Sequence, residues 1–306
     1  MIIVGAGSAG LSAGLYAARN GLKTLLLDKQ IPGGATIESP LIENYPGFIS
    51  ISGQELINNM VSHATKFGAR INQLEPIVKL ELQSEKKIVK TTRAEYEASA
   101  IIITTGCHHR QLGVPGEREF AGKGISYCAL CDGAFFKGKK VIVVGGGNNA
   151  ATSALILIHQ TPYVKLIHRR DQIRAEEVLL EDLRRTKAEF LLNTEVTEIK
   201  GDRTVKSVTV LDNKTNEKRE IETDGVFIQI GEVPNSDFAK EAGVQVDEYG
   251  YISVNSQQMT NIQGVYAAGD VTVNPVKQIG TAVGQAIVAA VDAFGYVRRP
   301  YYYKKC

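Results

Sequence analysis

Apolar and polar stretches alternate along this chain in an order that occurs twice. Ile2-Ile3-Val4 leads into Gly5-Ala6-Gly7-Ser8-Ala9-Gly10, an Ala/Leu-rich stretch follows, and a second apolar run at residues 24–27 ends at Asp28. Much later, Val141-Ile142-Val143-Val144 runs into Gly145-Gly146-Gly147-Asn148-Asn149-Ala150, then a helical stretch, then an apolar run at residues 164–167 that ends at His168. The spacing from Gly5 to Asp28 equals that from Gly145 to His168. Both segments predict strand, glycine turn, helix and strand. Further strands are expected at residues 98–105, ending at Gly106, at residues 225–230, ending at Gly231, and just before the Gly269-Asp270 turn. A helix rich in small residues is expected from about position 278 to 294.

Strand, glycine turn, helix and strand is the βαβ arrangement that binds dinucleotides. Its first glycine (Gly5, Gly145) permits a tight turn and its second (Gly7, Gly147) lets the backbone approach a pyrophosphate. The third position (Gly10, Ala150) must be small so that helix and strand can pack. The helix start, at Ser8-Ala9 or Asn148-Asn149, then turns unpaired N–H groups toward the phosphates. One such glycine set alone is weak evidence, since a tight turn beside a packed helix is its alternative; two at matched spacing favour nucleotides. The late strands complete the first unit, so the expected fold class is α/β, with two Rossmann-like, three-layer ββα nucleotide-binding domains. One is discontinuous over residues 1–110 and 231–306, and the other is inserted at residues 111–230.

The residues closing each second strand separate the two sites. Asp28 can accept hydrogen bonds from ribose hydroxyls but would repel a 2′-phosphate. His168-Arg169-Arg170, with Arg174 one turn on, offers fixed and switchable cations, which suit a 2′-phosphate because guanidinium binds phosphate as a fork. A solvated basic helix start is the usual reading of a charge run, but its place after the second βαβ strand points to NADPH.

Composition narrows the function classes. A chain of 306 residues can bury two cores, and 43 % apolar with 22 % charged residues is that of a globular protein. A net charge of +2 is too weak a field for nucleic-acid binding, and the aromatic, basic tail from Tyr296 to Cys306 is expected as a solvated or interface-packed end. The apolar opening lacks the basic lead of a secretory signal, and no later run is expected to span a bilayer. Only four cysteines occur, too few for a disulfide framework in a chain this long. A cytoplasmic protein without membrane or nucleic-acid partners is therefore expected.

Tyr127-Cys128-Ala129-Leu130-Cys131-Asp132-Gly133 precedes the second glycine set. Two residues between thiols allow a small disulfide ring, and a thiol at a helix start has a lowered pKa and attacks as thiolate. The alternatives are a metal site completed by Cys107, His108 and His109, a thioredoxin-type fold, or two structural thiols. Asp132 could shuttle a proton to a leaving thiolate or simply form an Asp-Gly turn; its carboxylate would raise the pKa of the neighbouring thiol, whereas the helix terminus would lower it, so the direction for the thiol stays open.

Together these residues resemble the low-molecular-weight thioredoxin reductases over nearly the whole chain. The matching motifs are Gly5-x-Gly7-x-x-Gly10, Gly33-Gly34, Glu43-Asn44-Tyr45-Pro46-Gly47, Thr105-Gly106, the Cys128 to Gly133 motif, His168-Arg169-Arg170-x-x-x-Arg174 and Gly269-Asp270, in family order. The resemblance implies FAD and NADPH as cofactors, thioredoxin or a glutaredoxin-like disulfide protein as partner, and a homodimer. It also implies that Gly34, Thr36, Asn44, Gly106, Gly269, Asp270, Lys277, Gln278 and Ile279 contact FAD. Cys131 would face the flavin, Cys128 attack the substrate and Asp132 act as acid and base, with no metal. Two departures stand out: Ala35 replaces a usual Gln, and Ala151-Thr152-Ser153 stands where a Glu pair is usual, which bears on hydride-transfer geometry and on the choice of donor.

The implied route runs from NADPH through FAD to the Cys128/Cys131 pair and on to a partner disulfide. With the NADPH site and the cysteines on one inserted domain, the two crossings are expected to act as a hinge. Rival functions are a flavin NAD(P)H:acceptor reductase that does not use the cysteines, serving ferredoxin, peroxide or quinones, and a non-catalytic flavin redox sensor.

Overall fold

Runs of Ile, Val and Leu without polar alternation are stable only where both faces of a strand are covered, and the computed structural model places them so. It describes residues 1–39 and 41–298 and divides into two units, Met1–His108 with Val233–Cys306, and His109–Glu232. The tail residues from Arg299 to Cys306 lie outside the described residues.

In the first unit Ile2–Val4 is the centre of a five-stranded parallel sheet. Ile3 pairs with Leu26 of Leu25–Leu27 on one side and with Ile102 of Ile101–Ile103 on the other. Arg70–Asn72 and Val265–Ala267 form its edges. Side chains alternate across it as the two-residue strand period requires. Ile3, Leu26, Ile102 and Tyr266 pack with Leu11 and Ala13 of helix Ser8–Arg19 and with Ala286 and Ala290 of helix Ile279–Arg298. Ile2, Val4, Leu27, Ile101 and Ile103 pack instead with Leu80 and Val89 of an antiparallel ladder, Ile77–Glu81, Lys87–Thr91 and Glu95–Ala98.

The second unit repeats this plan. Val141–Gly145 lies between Val164–Ile167 and Gly225–Gln229, all parallel, with Glu189–Leu191 and Ile125–Ser126 at the edges. Val141, Val143, Leu166 and Phe227 pack on helix Asn148–Ile158 through Ala150, Ala154 and Leu157. Ile142, Val144, Ile167 and Val226 pack on Val196, Val208 and Val210 of the antiparallel ladder Thr194–Gly201, Val205–Asp212 and Lys218–Glu222. Each unit is thus a three-layer ββα, Rossmann-like domain, and the second interrupts the first. They differ in their fifth strand: the first unit takes it from late in the chain, Val265–Ala267, and the second from its own beginning, Ile125–Ser126.

Three expectations change. The strand expected at residues 98–105 is only Ile101–Ile103, because Glu95–Ala98 belongs to the antiparallel ladder. The last helix extends to Arg298. Contrary to the expectation that no later run could span a bilayer, Ile279–Arg298 is 20 residues long and apolar enough to do so by length and composition. Its composition has a packing reason, since Ala282, Ala286, Ala289, Ala290 and Ala293 form a small-residue face buried against the core of the first unit. The two crossings between units run through Cys107–His109 and Glu232–Pro234, which pair with each other.

The glycine turns set how closely strand and helix approach. A Cβ at Gly10 would stand 1.9 Å from the Gly5 carbonyl oxygen. At Gly147 it would meet nothing within 4 Å. Gly10→Ala is therefore expected to cost at least about 4 kcal/mol, read as a large fall in Tm or loss of folded protein, while Gly147→Ala leaves Tm near that of the parent. Similar Tm values for the two variants would refute the close-packing account.

Candidate functional site

In the first unit, the end of Ile2–Val4 turns through Gly5 into helix Ser8–Arg19. Gly7 occupies the N-cap with no side-chain cap, and no acidic residue lies in the first turn. A Cβ at Gly7 would come no nearer than 3.8 Å to any atom, so the chain's own packing does not require glycine there. The room and the uncapped N–H groups suit an anion. Asp28 holds the turn: its carboxylate accepts from the Ala6 N–H at 2.6 Å and the Gln30 N–H at 2.8 Å. The Gly33 N–H donates to the Ala6 carbonyl at 2.9 Å, which brings Gly34 and the buried Thr36 to the same turn.

Residues from the end of the chain converge here. A Cβ at Gly269 would lie 3.1 Å from the Ala9 Cβ, and the Gly269 N–H donates to Gln285 Oε1 at 2.8 Å. Lys277 Nζ donates to the Asp270 carbonyl at 2.9 Å and sits 4.1 Å from the Tyr251 ring centroid. Asn44 Nδ2 donates to Gln278 Oε1 at 3.1 Å, and Ile279 packs with Ile42, Ile51 and Leu56. Gly106 lies apart from this cluster in one respect: its carbonyl accepts from the Asn235 N–H at 3.0 Å, beside a crossing.

In the second unit Gly147 is likewise an N-cap without a side-chain cap, here for helix Asn148–Ile158. Asn148 exchanges hydrogen bonds with Glu176, at 2.9 Å to its N–H and 2.8 Å to its carboxylate. Together with the Arg174 N–H donating to the Gly146 carbonyl at 2.6 Å, this ties the loop after His168 to the glycine turn. Asn149 is exposed and Ala150 buried. The His168 imidazole lies against Gly146, where a Cβ would stand 2.2 Å from its Cε1. Burial first, then the Arg169 and Arg174 charges, pushes its pKa down, against a hydrogen bond with the Gln172 backbone. The expected set of four cations is thereby corrected: His168 is neutral near pH 7, and its buried Nε2 has no partner among the described residues. The exposed Arg169, Arg170 and Arg174 form no salt bridge among the described residues, so three fixed cations remain.

Cys128 is the N-cap of the one-turn helix Ala129–Asp132, and its sulfur accepts from the Cys131 N–H at 3.1 Å. The two cysteines form a disulfide, with Cα atoms 5.3 Å apart. Ala129 packs into the core against helix Asn148–Ile158, while Leu130 is 60 % exposed, so the pair is anchored on one side and open on the other. Asp132 accepts from Ser126 Oγ at 2.6 Å. Burial raises its pKa, and the Ser126 hydrogen bond opposes this only in part.

Sequence reasoning missed the supports of this turn. Ser126 Oγ also accepts from the Cys128 N–H at 3.0 Å. The Tyr127 hydroxyl donates to Glu117 at 3.0 Å, its ring stacks on His109 at 4.8 Å, and its carbonyl accepts from Gln229 at 2.9 Å. Glu117, 2 % exposed, also accepts from the Leu112 and Gly113 N–H groups at 3.0 and 2.7 Å. The signal available was the buried main-chain donors of the turn, each of which needs an acceptor. Of the residues weighed for a metal, both motif thiols are in the disulfide, His109 stacks on Tyr127, and His108 Nδ1 lies 3.0 Å from Asn235 Oδ1.

Two dinucleotide-type folds, one carrying an accessible C-x-x-C disulfide, define a nucleotide-dependent disulfide oxidoreductase. The family model for pyridine nucleotide-disulphide oxidoreductases matches residues 1–286. Over 301 residues the chain is 42 % identical to a thioredoxin reductase of Bacillus subtilis, covering 97 % of this chain and 94 % of that protein. It is 40 % identical to a thioredoxin reductase of Treponema pallidum, over 97 % and 96 %. The crystal structure of thioredoxin reductase from Streptococcus pyogenes gives a TM-score of 0.93 at 37 % identity, covering 98 % of each chain. The chain belongs to the pyridine nucleotide-disulphide oxidoreductase family.

Because the folded chain holds the Asp132 pKa above its unfolded value, ionising this carboxyl opposes folding. Stability is unaffected while the acid is protonated in both states, and it is lost as pH rises from the unfolded pKa through the folded one. Asp132→Asn removes that loss, so the excess of the variant's Tm over the parent's should grow as pH rises above the ordinary carboxylate range of about 4. A constant difference above that range would contradict a raised pKa.

Proposed function

We propose that this chain is a thioredoxin reductase, which takes electrons from NADPH through FAD to the Cys128–Cys131 disulfide and on to thioredoxin or a glutaredoxin-like protein. The observation that carries the reading is that disulfide, formed at an N-cap on the same unit as a basic loop suited to a 2′-phosphate. The thioredoxin reductases to which the chain is similar over nearly its full length support it. A homodimer in a reducing, cytoplasmic setting is part of the same reading and rests on the family resemblance and on cysteine usage.

The chemistry FAD supplies when bound is to take a hydride from NADPH and return the electron pair to a disulfide. Gly5, Gly7, Ser8, Ala9 and Gly10 would hold its pyrophosphate and Asp28 a ribose. Gly34, Thr36, Asn44, Gly106, Gly269, Asp270, Lys277, Gln278 and Ile279 would line the rest. Gly145, Gly147, Asn148, Asn149 and Ala150 would hold the NADPH pyrophosphate, with Arg169, Arg170 and Arg174 as cations for the 2′-phosphate and neutral His168 offering its buried Nε2. Thr152 is exposed and Ser153 buried, so the usual Glu pair has no substitute carboxylate on this helix, and donor choice rests on the arginines.

Once reduced, the Cys128 thiolate attacks a sulfur of the partner disulfide, whose S–S bond breaks to leave a mixed disulfide and a leaving thiolate. Asp132 gives its proton to that thiolate. The Cys131 thiolate then attacks the Cys128 sulfur, which restores the internal disulfide and expels the partner's second sulfur as a thiolate; this thiolate and Asp132 each take up a proton from water, completing the partner dithiol and resetting the acid.

Anaerobic titration of the yellow protein should bleach the flavin at one equivalent of NADPH, with electrons then delivered to oxidised thioredoxin. Cys128→Ser with Cys131→Ser should abolish that delivery and spare bleaching; retained delivery would favour the acceptor-reductase rival. Arg169→Ala and Arg170→Ala should each raise the KM for NADPH roughly 10- to 100-fold, the equivalent of one charge-assisted hydrogen bond. The KM for NADH should hardly change; an equal rise with both donors would exclude a 2′-phosphate contact.

A further inference from the structure

Ser126 sits at the end of an edge strand, 4 % exposed, two residues before the first cysteine. Its Oγ is 3.0 Å from the Cys128 N, 2.6 Å from Asp132 Oδ2 and 3.3 Å from the Cys128 carbonyl oxygen. A hydroxyl has one proton and two lone pairs. One lone pair takes the Cys128 N–H, so the proton has two competing acceptors, and the remaining lone pair is open to a donor.

We propose that Ser126 is a positioning residue for proton delivery, whose hydroxyl proton turns to Asp132 when that carboxyl is ionised and to the Cys128 carbonyl when it is protonated. In the protonated state the Asp132 O–H donates to the open lone pair of Ser126, and every hydrogen-bonding group of the trio is satisfied. When Asp132 gives its proton to the leaving thiolate, a thiol and a carboxylate result. The Ser126 proton then swings from the Cys128 carbonyl to the new carboxylate, again leaving no buried group unpaired. The hydroxyl thus keeps Asp132 aimed at the sulfurs in both states at little cost in reorganisation. The inference rests on the proposed role of Asp132 as acid.

The surroundings leave this hydroxyl as the main control within the unit. Helix Asn148–Ile158, which backs the disulfide turn, carries no ionisable side chain, nor do turn Gly133–Phe136 and strand Gly225–Gln229. The titratable neighbours in sequence are Cys128 and Cys131 on the same turn and the Tyr127 hydroxyl, which is engaged with Glu117.

The test compares Ser126→Ala, Ser126→Thr and the parent, each as holoenzyme, in two ways. The first is the pH profile of kcat with oxidised thioredoxin. The second is infrared titration of the Asp132 carboxyl band in the resting protein, assigned by its absence in Asp132→Asn. Ser126→Ala should lower kcat roughly tenfold and move both the profile and the band titration to higher pH. Ser126→Thr, which keeps a hydroxyl, should restore both, and in an Asp132→Asn background Ser126→Ala should change kcat no further. An unmoved band and profile in Ser126→Ala, or an undiminished effect in the Asp132→Asn background, would overturn the role of Ser126. A parent that reduces no disulfide protein would instead overturn the proposed function, while the band titration still reports on the hydrogen bond.

Discussion

The structure depends on a contact between two stretches of backbone. At the first glycine turn the carbonyl of Gly5 lies where a side chain on position 10 would stand. At the second, a Cβ on Gly145 would meet the Gln229 carbonyl oxygen at 2.2 Å. This closeness lets a helix start directly above the carboxyl end of a parallel strand, which is where open α/β sheets bind ligands. Elements far along the chain then gather round the helix start, with the Thr104 hydroxyl on the Gly5 carbonyl at 3.0 Å and Gly269 beside Ala9. Side-chain bulk at these positions would separate helix and sheet and disperse the cluster.

The chain uses this plan twice and gives each copy a different chemistry through a few residues. Asp28 spends its carboxylate on two N–H groups of its own turn, which rigidifies a site of negative character. At the corresponding place, His168 is half-buried beside Gly146 and held neutral by desolvation and by Arg169 and Arg174. The positive character there comes from the arginines alone. The turn bearing Cys128 and Cys131 is seated on the helix of that second copy through Ala129, so nucleotide loop and disulfide share one structural support.

Much of this was legible in local pattern. The paired glycine sets, the apolar strands and the two-residue cysteine spacing depend on short-range geometry, and short-range geometry is what sequence spacing encodes. Boundaries were less legible: Glu95–Ala98 joined an antiparallel ladder, and the last helix ran on to Arg298. Its apolar character suits a membrane as well as a core, and only its alanine face against Ile3 and Leu11 distinguishes the use made of it here. The roles of Ser126, Glu117, Tyr127 and His109 were not legible, because each depends on which buried donors the folded turn leaves needing acceptors.

By itself, then, the order of residues determined the two βαβ units and the presence of a closely spaced thiol pair, since both follow from local conformational preference and periodicity. Tertiary structure alone decided the charge on His168, the upward shift of Asp132 and the hydroxyl that joins Asp132 to Cys128. Protonation and hydrogen-bond choice depend on how much water is excluded and on which groups from distant segments arrive instead, and both are properties of the packed chain.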